Sequence, residues 1–289
     1  MINVNDILDK IDKMPSLSPT VSKVMEVANN LNSSPRELVT VIKMDPILTG
    51  KVLKMVNSAY FSLSQEVTSL ERAIIMLGLN TIKNLALSTA VLEQFSVKEF
   101  KQSGFDIEQF WKHSLAVAVA AKVLAIKFDI PKRFREEFFI AGLLHDIGKL
   151  ILARHYPNEM NVILKMAKET KSPLIMLENR EIQFTHPEIG EKVAEKWKLS
   201  AGLIKSISLH HGPDFYEWQT DDFKLVASVY IANNYCVSAG LGHSGEEQAV
   251  ELNPIIWKIL RMTKEQCFAE LEIVKDELQK AMDFLKIAS

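Results

Sequence analysis

Apolar residues recur along this chain at steps of three and four, and no stretch shows the sustained alternation of a half-buried strand, so the pattern predicts helices nearly throughout. After Asp45-Pro46, the residues Ile47, Leu48, Val52, Leu53 and Val56 fall at helical spacing and predict a helix running toward Asn57. Ser34-Pro35-Arg36-Glu37 reads as a capping box with proline at the first helical position. Thr68-Ser69-Leu70-Glu71 and Thr263-Lys264-Glu265-Gln266 repeat that cap-plus-acid or cap-plus-amide signal, and each marks a helix start. The expected fold class is all-α.

Two interruptions divide the pattern. Residues 98–106 are polar and include Ser103-Gly104, after which Asp106 caps a helix running through His113 to about Phe128. Residues 238–247 are rich in glycine and serine. The division predicts an N-terminal helical lobe over 1–100, a second lobe over 101–245 and a C-terminal helical extension over 246–289. In that extension Cys267, Leu271, Val274, Leu278, Ala281 and Leu285 alternate steps of four and three, the spacing of coiled-coil seams. Such a stripe either packs back on its own core or makes a homodimer contact. A helix-turn-helix over 69–77 and 80–95 is disfavoured, because Ile82, Leu85, Ala86, Leu87 and Val91 make the second helix apolar and few basic residues stand ready to read base edges.

Composition narrows the reading further. A chain of 289 residues with 47% hydrophobic content can bury a sizeable core. Its formal charge of −2 supplies no basic field, so nucleic acid is not an expected partner. Asp6, Asp9 and Lys10 stand where a signal peptide would be apolar, and no run of about 18 apolar residues occurs, so a cytoplasmic protein without a membrane span is expected. The two cysteines, Cys236 and Cys267, form neither a disulfide framework nor a thiolate metal motif.

The stretch AGLLHDIGKLIL over 141–152 breaks this simple picture by placing His145, Asp146 and Lys149 in what otherwise reads as a buried apolar helix. A buried, unpaired carboxylate costs several kcal/mol, of order the penalty for any isolated charge after its pKa relaxes. A divalent cation removes that cost. His113, His186 just before Pro187, and the pair His210-His211 ahead of Gly212-Pro213 are candidate companions, and imidazoles with one carboxylate suit first-row transition ions. Asp146 could bridge two ions while His145 binds one. Lys149, four residues after His145, could hold a phosphate oxygen beside them. His155 and His243 read as ordinary structural or solvated residues.

The order His113, His145-Asp146, His186-Pro187, His210-His211 resembles the HD superfamily of metal-dependent phosphohydrolases, in particular the binuclear arrangement of HD-GYP proteins, whose HDIGK motif stands at 145–149. The front of the chain is similar to the HDOD family of bacterial signalling output domains, through MPSLSPTV at 14–21, DPILTGKVLKMVNSAYF at 45–61 and SLERAIIMLGLNTIKNLAL at 69–87. The resemblance implies an HD-like helical bundle with an N-terminal HDOD lobe and a centre of two divalent ions, with iron, manganese, nickel and zinc all admissible. It also implies a signalling protein partner acting in trans. Two departures stand out. Where the HD pattern ends in an aspartate ligand this chain has Asn233, and Gly212-Pro213-Asp214-Phe215-Tyr216 replaces the GYP element. These departures favour a module that binds metal and a phosphorylated small molecule or nucleotide. A working phosphohydrolase, with Asp146 and Lys149 in catalytic roles, is the alternative.

Overall fold

The structure is a computed structural model describing residues 4–13, 16–30, 33–95, 100, 103–213, 215 and 220–288. Parts of the first sequence break (98, 99, 101 and 102), and Asp214 and Tyr216 after the histidine pair, lie outside the described residues. Among the described residues every regular element is helical, as expected. The front of the chain forms α1 (Val4–Lys13), α2 (Pro19–Asn29), α3 (Pro35–Lys43), α4 (Pro46–Val56), α5 (Leu70–Leu77) and α6 (Leu79–Glu93). The middle forms α7 (Ile107–Lys127), α8 (Arg135–Leu144), α9 (Ile147–His155), α10 (Pro157–Thr170), α11 (Leu174–Ile182), α12 (His186–Lys196), α13 (Ala201–Leu209) and α14 (Asp221–Ser238). The chain closes with α15 (Ile255–Leu260), α16 (Lys264–Leu271) and α17 (Val274–Ala288).

The predicted caps are present, with one shift. Ser34 accepts a hydrogen bond from the Glu37 amide, Asp45 from Leu48 and Asp106 from both Glu108 and Gln109. Thr263 and Gln266 form a complete reciprocal box. At the second signal the cap is Ser69, bonded to the Arg72 amide, rather than Thr68, so that helix begins one residue later than the pattern suggests.

α7 is the axis of the molecule. Its alanine-rich face lets α8 and α14 approach closely, and Leu115, Ala118, Ala121 and Leu124 are fully buried. One hydrophobic cluster runs from Ile7 to Ala281 and joins all three predicted regions. α6 packs on α8, and α1 packs on α12, where Lys196 donates to the Ile11 carbonyl, while Lys10 donates to the His155 carbonyl at the end of α9. The seam of the last helices is buried against this same chain, with α16 on α7 and α17 on α4, α6 and α7. Cys267, Leu271, Val274, Leu278 and Ala281 are at most 5% exposed, whereas Leu285 at the end of the stripe is partly buried.

α5 and α6 meet at 117°, and Ile82, Leu85, Ala86, Leu87 and Val91 are all buried, so no recognition helix projects from this corner. No single helix among the described residues is long and apolar enough to cross a membrane.

The most consequential difference concerns the His145-Asp146 pair. It lies on a break between α8 and α9 rather than inside a helix, with Asp146 at φ −98°, ψ 13°, in the sparsely populated bridge region. The break is held by close backbone packing. Gly148, two residues on, faces the backbone of α12 so closely that an added Cβ would overlap the His186 carbonyl oxygen.

Gly148→Ala should therefore destabilise the chain by about 1–3 kcal/mol through forced separation of α9 and α12. Gly50→Ala, on an exposed position of α4 with nothing within 4 Å, should stabilise it by up to about 1 kcal/mol. Urea titration of the two variants beside the parent measures both; shifts of the same sign would contradict the packing described.

Candidate metal centre

One helix face and three helix ends or breaks deliver six ionisable side chains to one buried point. His113 comes from the middle of α7, and His145-Asp146 from the α8–α9 break. His186 opens α12, and His210-His211 follow the last turn of α13. His113, His145, Asp146, His186 and His210 are 0–1% exposed. Asp146, His186, His210 and His211 offer donor atoms mutually within 4.8 Å, and so do His113, His145 and Asp146. Asp146 belongs to both groups. Its Oδ1 lies 3.3 Å from the Nε2 atoms of His186 and His210, and its Oδ2 lies 3.3 Å from His145 Nε2.

The rings are held by partners behind them. His145 Nδ1 donates to the Gly142 carbonyl at 2.8 Å and His210 Nδ1 to the Ile207 carbonyl at 2.7 Å. Each of these bonds uses a carbonyl left free at a helix C-terminus, where the helix dipole also favours a cation. His186 Nδ1 and the His186 amide both donate to Glu178 Oε2, at 2.7 and 2.8 Å, so one buried carboxylate caps α12 and orients its first ring. With Nδ1 protonated, each of these three rings turns a bare Nε2 lone pair inward.

This donor set fits a metal. His186 Nε2 lies 3.2 Å from His210 Nε2 and 3.0 Å from His211 Nε2, a convergence of lone pairs that repel unless a cation lies among them. Neighbouring ligands on an ion with bonds of about 2.1 Å are separated by roughly 3 Å, matching these contacts. His145 Nε2 and Asp146 Oδ1 are buried without a hydrogen bond among the described residues.

Electrostatics point the same way. Burial, followed by the neighbouring His145, pushes His113 down to about 3; burial likewise takes His210 to about 3 and His211 well below the usual imidazole range. These rings are neutral and ready to bind at physiological pH. Burial alone would lift Asp146, but His145 and Lys149 hold its carboxyl well below the ordinary carboxylate range. Burial works against protonation of His186 too, yet the Glu178 carboxylate raises it above its ordinary value.

Lys149 is fully buried, donating to Asp146 Oδ2 at 2.8 Å and to Ser244 Oγ at 3.3 Å, with Glu246 Oε1 at 3.9 Å. Burial disfavours its charge, and Asp146 and Glu246 more than restore it. The ammonium thus braces the shared carboxylate, and Lys149 is not among the residues lining the adjoining cavity. Asn233, from α14, puts its Oδ1 3.0 Å from His113 Nε2. An imidazole N–H can donate to this amide, whereas an aspartate in its place would compete for a cation. His243 is half exposed at the edge and His155 lies on the far end of α9, so neither joins the cluster.

Three contributors escaped the sequence reading. Glu178 lies between Leu174 and Ile182 on the buried face of α11, and an acid on an apolar stripe was the signal available. Ser244 and Glu246 belong to the 238–247 segment, which is no linker. Gly242, at φ +75°, fits so tightly against His113 that a Cβ would overlap its backbone nitrogen, and the His243 amide donates to the Gln109 carbonyl. The glycines allow this loop to close over the site.

The family model for the HDOD domain matches residues 14–213. The chain is 25% identical over 231 residues to an uncharacterized protein of Treponema pallidum (strain Nichols), covering 78% of this chain and 43% of that one. It is 26% identical over 217 residues to Ribonuclease Y of Mycoplasma mycoides, covering 73% and 42%. It therefore spans less than half the length of these two relatives. Among solved structures, an HDOD domain protein of unknown function from Geobacter sulfurreducens superposes with a TM-score of 0.78 at 24% identity, covering 97% of this chain and 96% of that one. A protein from Shewanella amazonensis SB2B described as a candidate phosphohydrolase superposes with a TM-score of 0.73 at 22% identity, covering 98% of each. Similarity at this level shows the fold.

Two outcomes follow from the geometry. Glu178→Gln keeps the shape but removes the charge behind His186, and should weaken metal affinity about 10- to 100-fold in chelator competition. Unfolded imidazoles titrate near 6.5. Between there and about 3 the unfolded chain binds more protons at His113 and His210, so metal-free protein should lose stability as pH falls through that window, by up to about 1.4 kcal/mol per pH unit for each net proton. His186 acts with the opposite sign, its stabilisation being lost as pH rises through its raised value. Urea melts of chelated protein at pH 4.5, 5.5 and 6.5 measure the balance; a flat profile would mean that the rings are not held neutral.

Proposed function

We propose that this chain, which belongs to the HDOD domain family, holds a pair of divalent transition ions in its His/Asp cluster and uses them to capture a phosphorylated ligand, acting in the first place as a signalling module by binding. The observation that carries this reading is the position of Asp146, a buried carboxylate shared by two donor groups whose rings are already oriented. His186, His210, His211 and Asp146 would hold one ion, and His113, His145 and Asp146 the other, with the neutral amide of Asn233 beside it. Asp146 and Glu178 against Lys149 leave one buried negative charge, and Glu246 adds another when ionised. With Glu246 ionised, one divalent ion balances the two negative charges and a second makes the centre net positive, which favours an anion such as phosphate.

Hydrolysis is the second reading, supported by a cavity that opens onto His210 and His211 of one donor group and onto Asn233 beside the other. The ions would supply charge and Lewis acidity toward a phosphate there. This chain's own part is to hold Asp146 ionised through Lys149, to keep Nε2 lone pairs inward, and to bring the Glu246 carboxyl to the cavity wall. Asn233 weighs against turnover, because an amide holds a cation more weakly than a carboxylate does.

Elemental analysis of protein purified without chelator should find about two transition ions per chain, and Asp146→Ala should lose both, whereas His243→Ala keeps them. Asn233→Asp should retain the second ion more tightly. A native chain that stays below a tenth of an equivalent after reconstitution would overturn the metal reading. Rapid cleavage of phosphoesters by the metal-loaded native chain would place hydrolysis ahead of binding.

A further inference from the structure

The cavity beside the cluster has a volume of about 200 Å³ and is bounded by α11, the end of α13, α14 and the segment 246–252. Its polar wall groups are largely engaged elsewhere. Asn234 Nδ2 donates to the Val250 carbonyl and Gln248 Nε2 to that of Lys171, while the Tyr230 hydroxyl accepts from the Asn253 amide. What faces inward is then mainly apolar, from Tyr230, Val237 and Leu252. At its mouth stand Met176 and Val250, 65% and 38% exposed, large apolar side chains that the fold leaves uncovered. The wall is also pinned, since Glu246 Oε2 accepts from the Leu174 amide at the start of α11 and Glu247 pairs at 2.9 Å with Lys171, just before that helix.

We propose that this cavity is a substituent pocket that selects phosphomonoesters whose non-phosphate part is compact and mainly apolar. This rests on the reading that the cluster binds metal and phosphate. A ligand with its phosphate at His210, His211 and Asn233 has this space beside it for the rest of its structure. The volume is below the roughly 300 Å³ of pockets that enclose a drug-sized ligand, too small to bury a cyclic dinucleotide with its two bases and two sugars. An apolar wall also favours burial of an alkyl or aromatic group over a strongly hydrated one.

Calorimetry on metal-loaded full-length protein tests this with three probes: inorganic phosphate, phenyl phosphate and a cyclic dinucleotide. Phenyl phosphate should bind at least tenfold more tightly than phosphate, and the dinucleotide no more tightly than phosphate. Ala249→Trp, from a partly exposed position on the wall, and Val237→Phe, from α14, should fill the cavity and erase the phenyl increment while leaving phosphate affinity unchanged. Two substitutions on different elements guard against one failing to fold. A phenyl increment that is absent in the native chain or survives in both variants overturns the proposal, as does tighter binding of the dinucleotide than of phenyl phosphate. If phosphate alone does not bind but phenyl phosphate does, and only when the cavity is open, the phosphate-capturing role of the cluster falls and the pocket stands. If neither binds, both fall.

Discussion

A carboxylate with no access to water organises the middle of this molecule. Asp146 is fully buried, and its charge is tolerable only because Lys149 lies behind it and imidazole nitrogens surround it in front. Removing two charges from water costs several kcal/mol each, and excellent geometry with further hydrogen bonds is needed to recover that cost. The surrounding structure can be read as the means of supplying that geometry. α9 is pressed onto α12 through Gly148, α7 presents His113, and the loop after α14 closes over Lys149 with Ser244 and Glu246.

Helix ends supply most of the centre, and helix faces supply His113 and Asn233. His145 and His210 each follow a helix C-terminus and bond to a carbonyl three residues back, and His186 opens a helix whose first amide is capped by Glu178. An imidazole at a helix terminus satisfies a backbone group that the helix cannot, and in doing so fixes its own tautomer. The same hydrogen bond therefore terminates secondary structure and aims a metal ligand. Local folding and site assembly are coupled, and a change at Gly142, Ile207 or Glu178 reaches the centre without touching it.

Asn233 gives this member of the HDOD family its particular character. The four-donor group around His186, His210 and His211 is complete in ionisable ligands, whereas the group around His113 and His145 ends in a neutral amide that is within hydrogen-bond distance of one of its own rings. The two halves of the cluster are chemically unequal, although they share one carboxylate.

Much of this was legible in the linear sequence. Spacing and caps determined an all-helical chain, because a 3.6-residue period and an N-cap side chain are local properties: Asp45, Asp106 and Thr263 begin helices as read. The clustering of the histidines and Asp146 was legible too, since ionisable residues in apolar surroundings demand a partner wherever they lie. The sequence could not say that His145-Asp146 sits on a break, because the apolar run continues through it and the break is imposed by the contact of Gly148 with α12. Nor could it assign Lys149, whose direction depends on Ser244 and Glu246 nearly a hundred residues away. The stripe of Cys267 to Ala281 was open to self-packing or a dimer contact when read from the sequence, and the structure places it against α4, α6 and α7. Periodicity and residue chemistry are written along the chain, but which groups face each other is decided only when distant helices close on one another, because the energies that choose among those contacts exist only in the packed state.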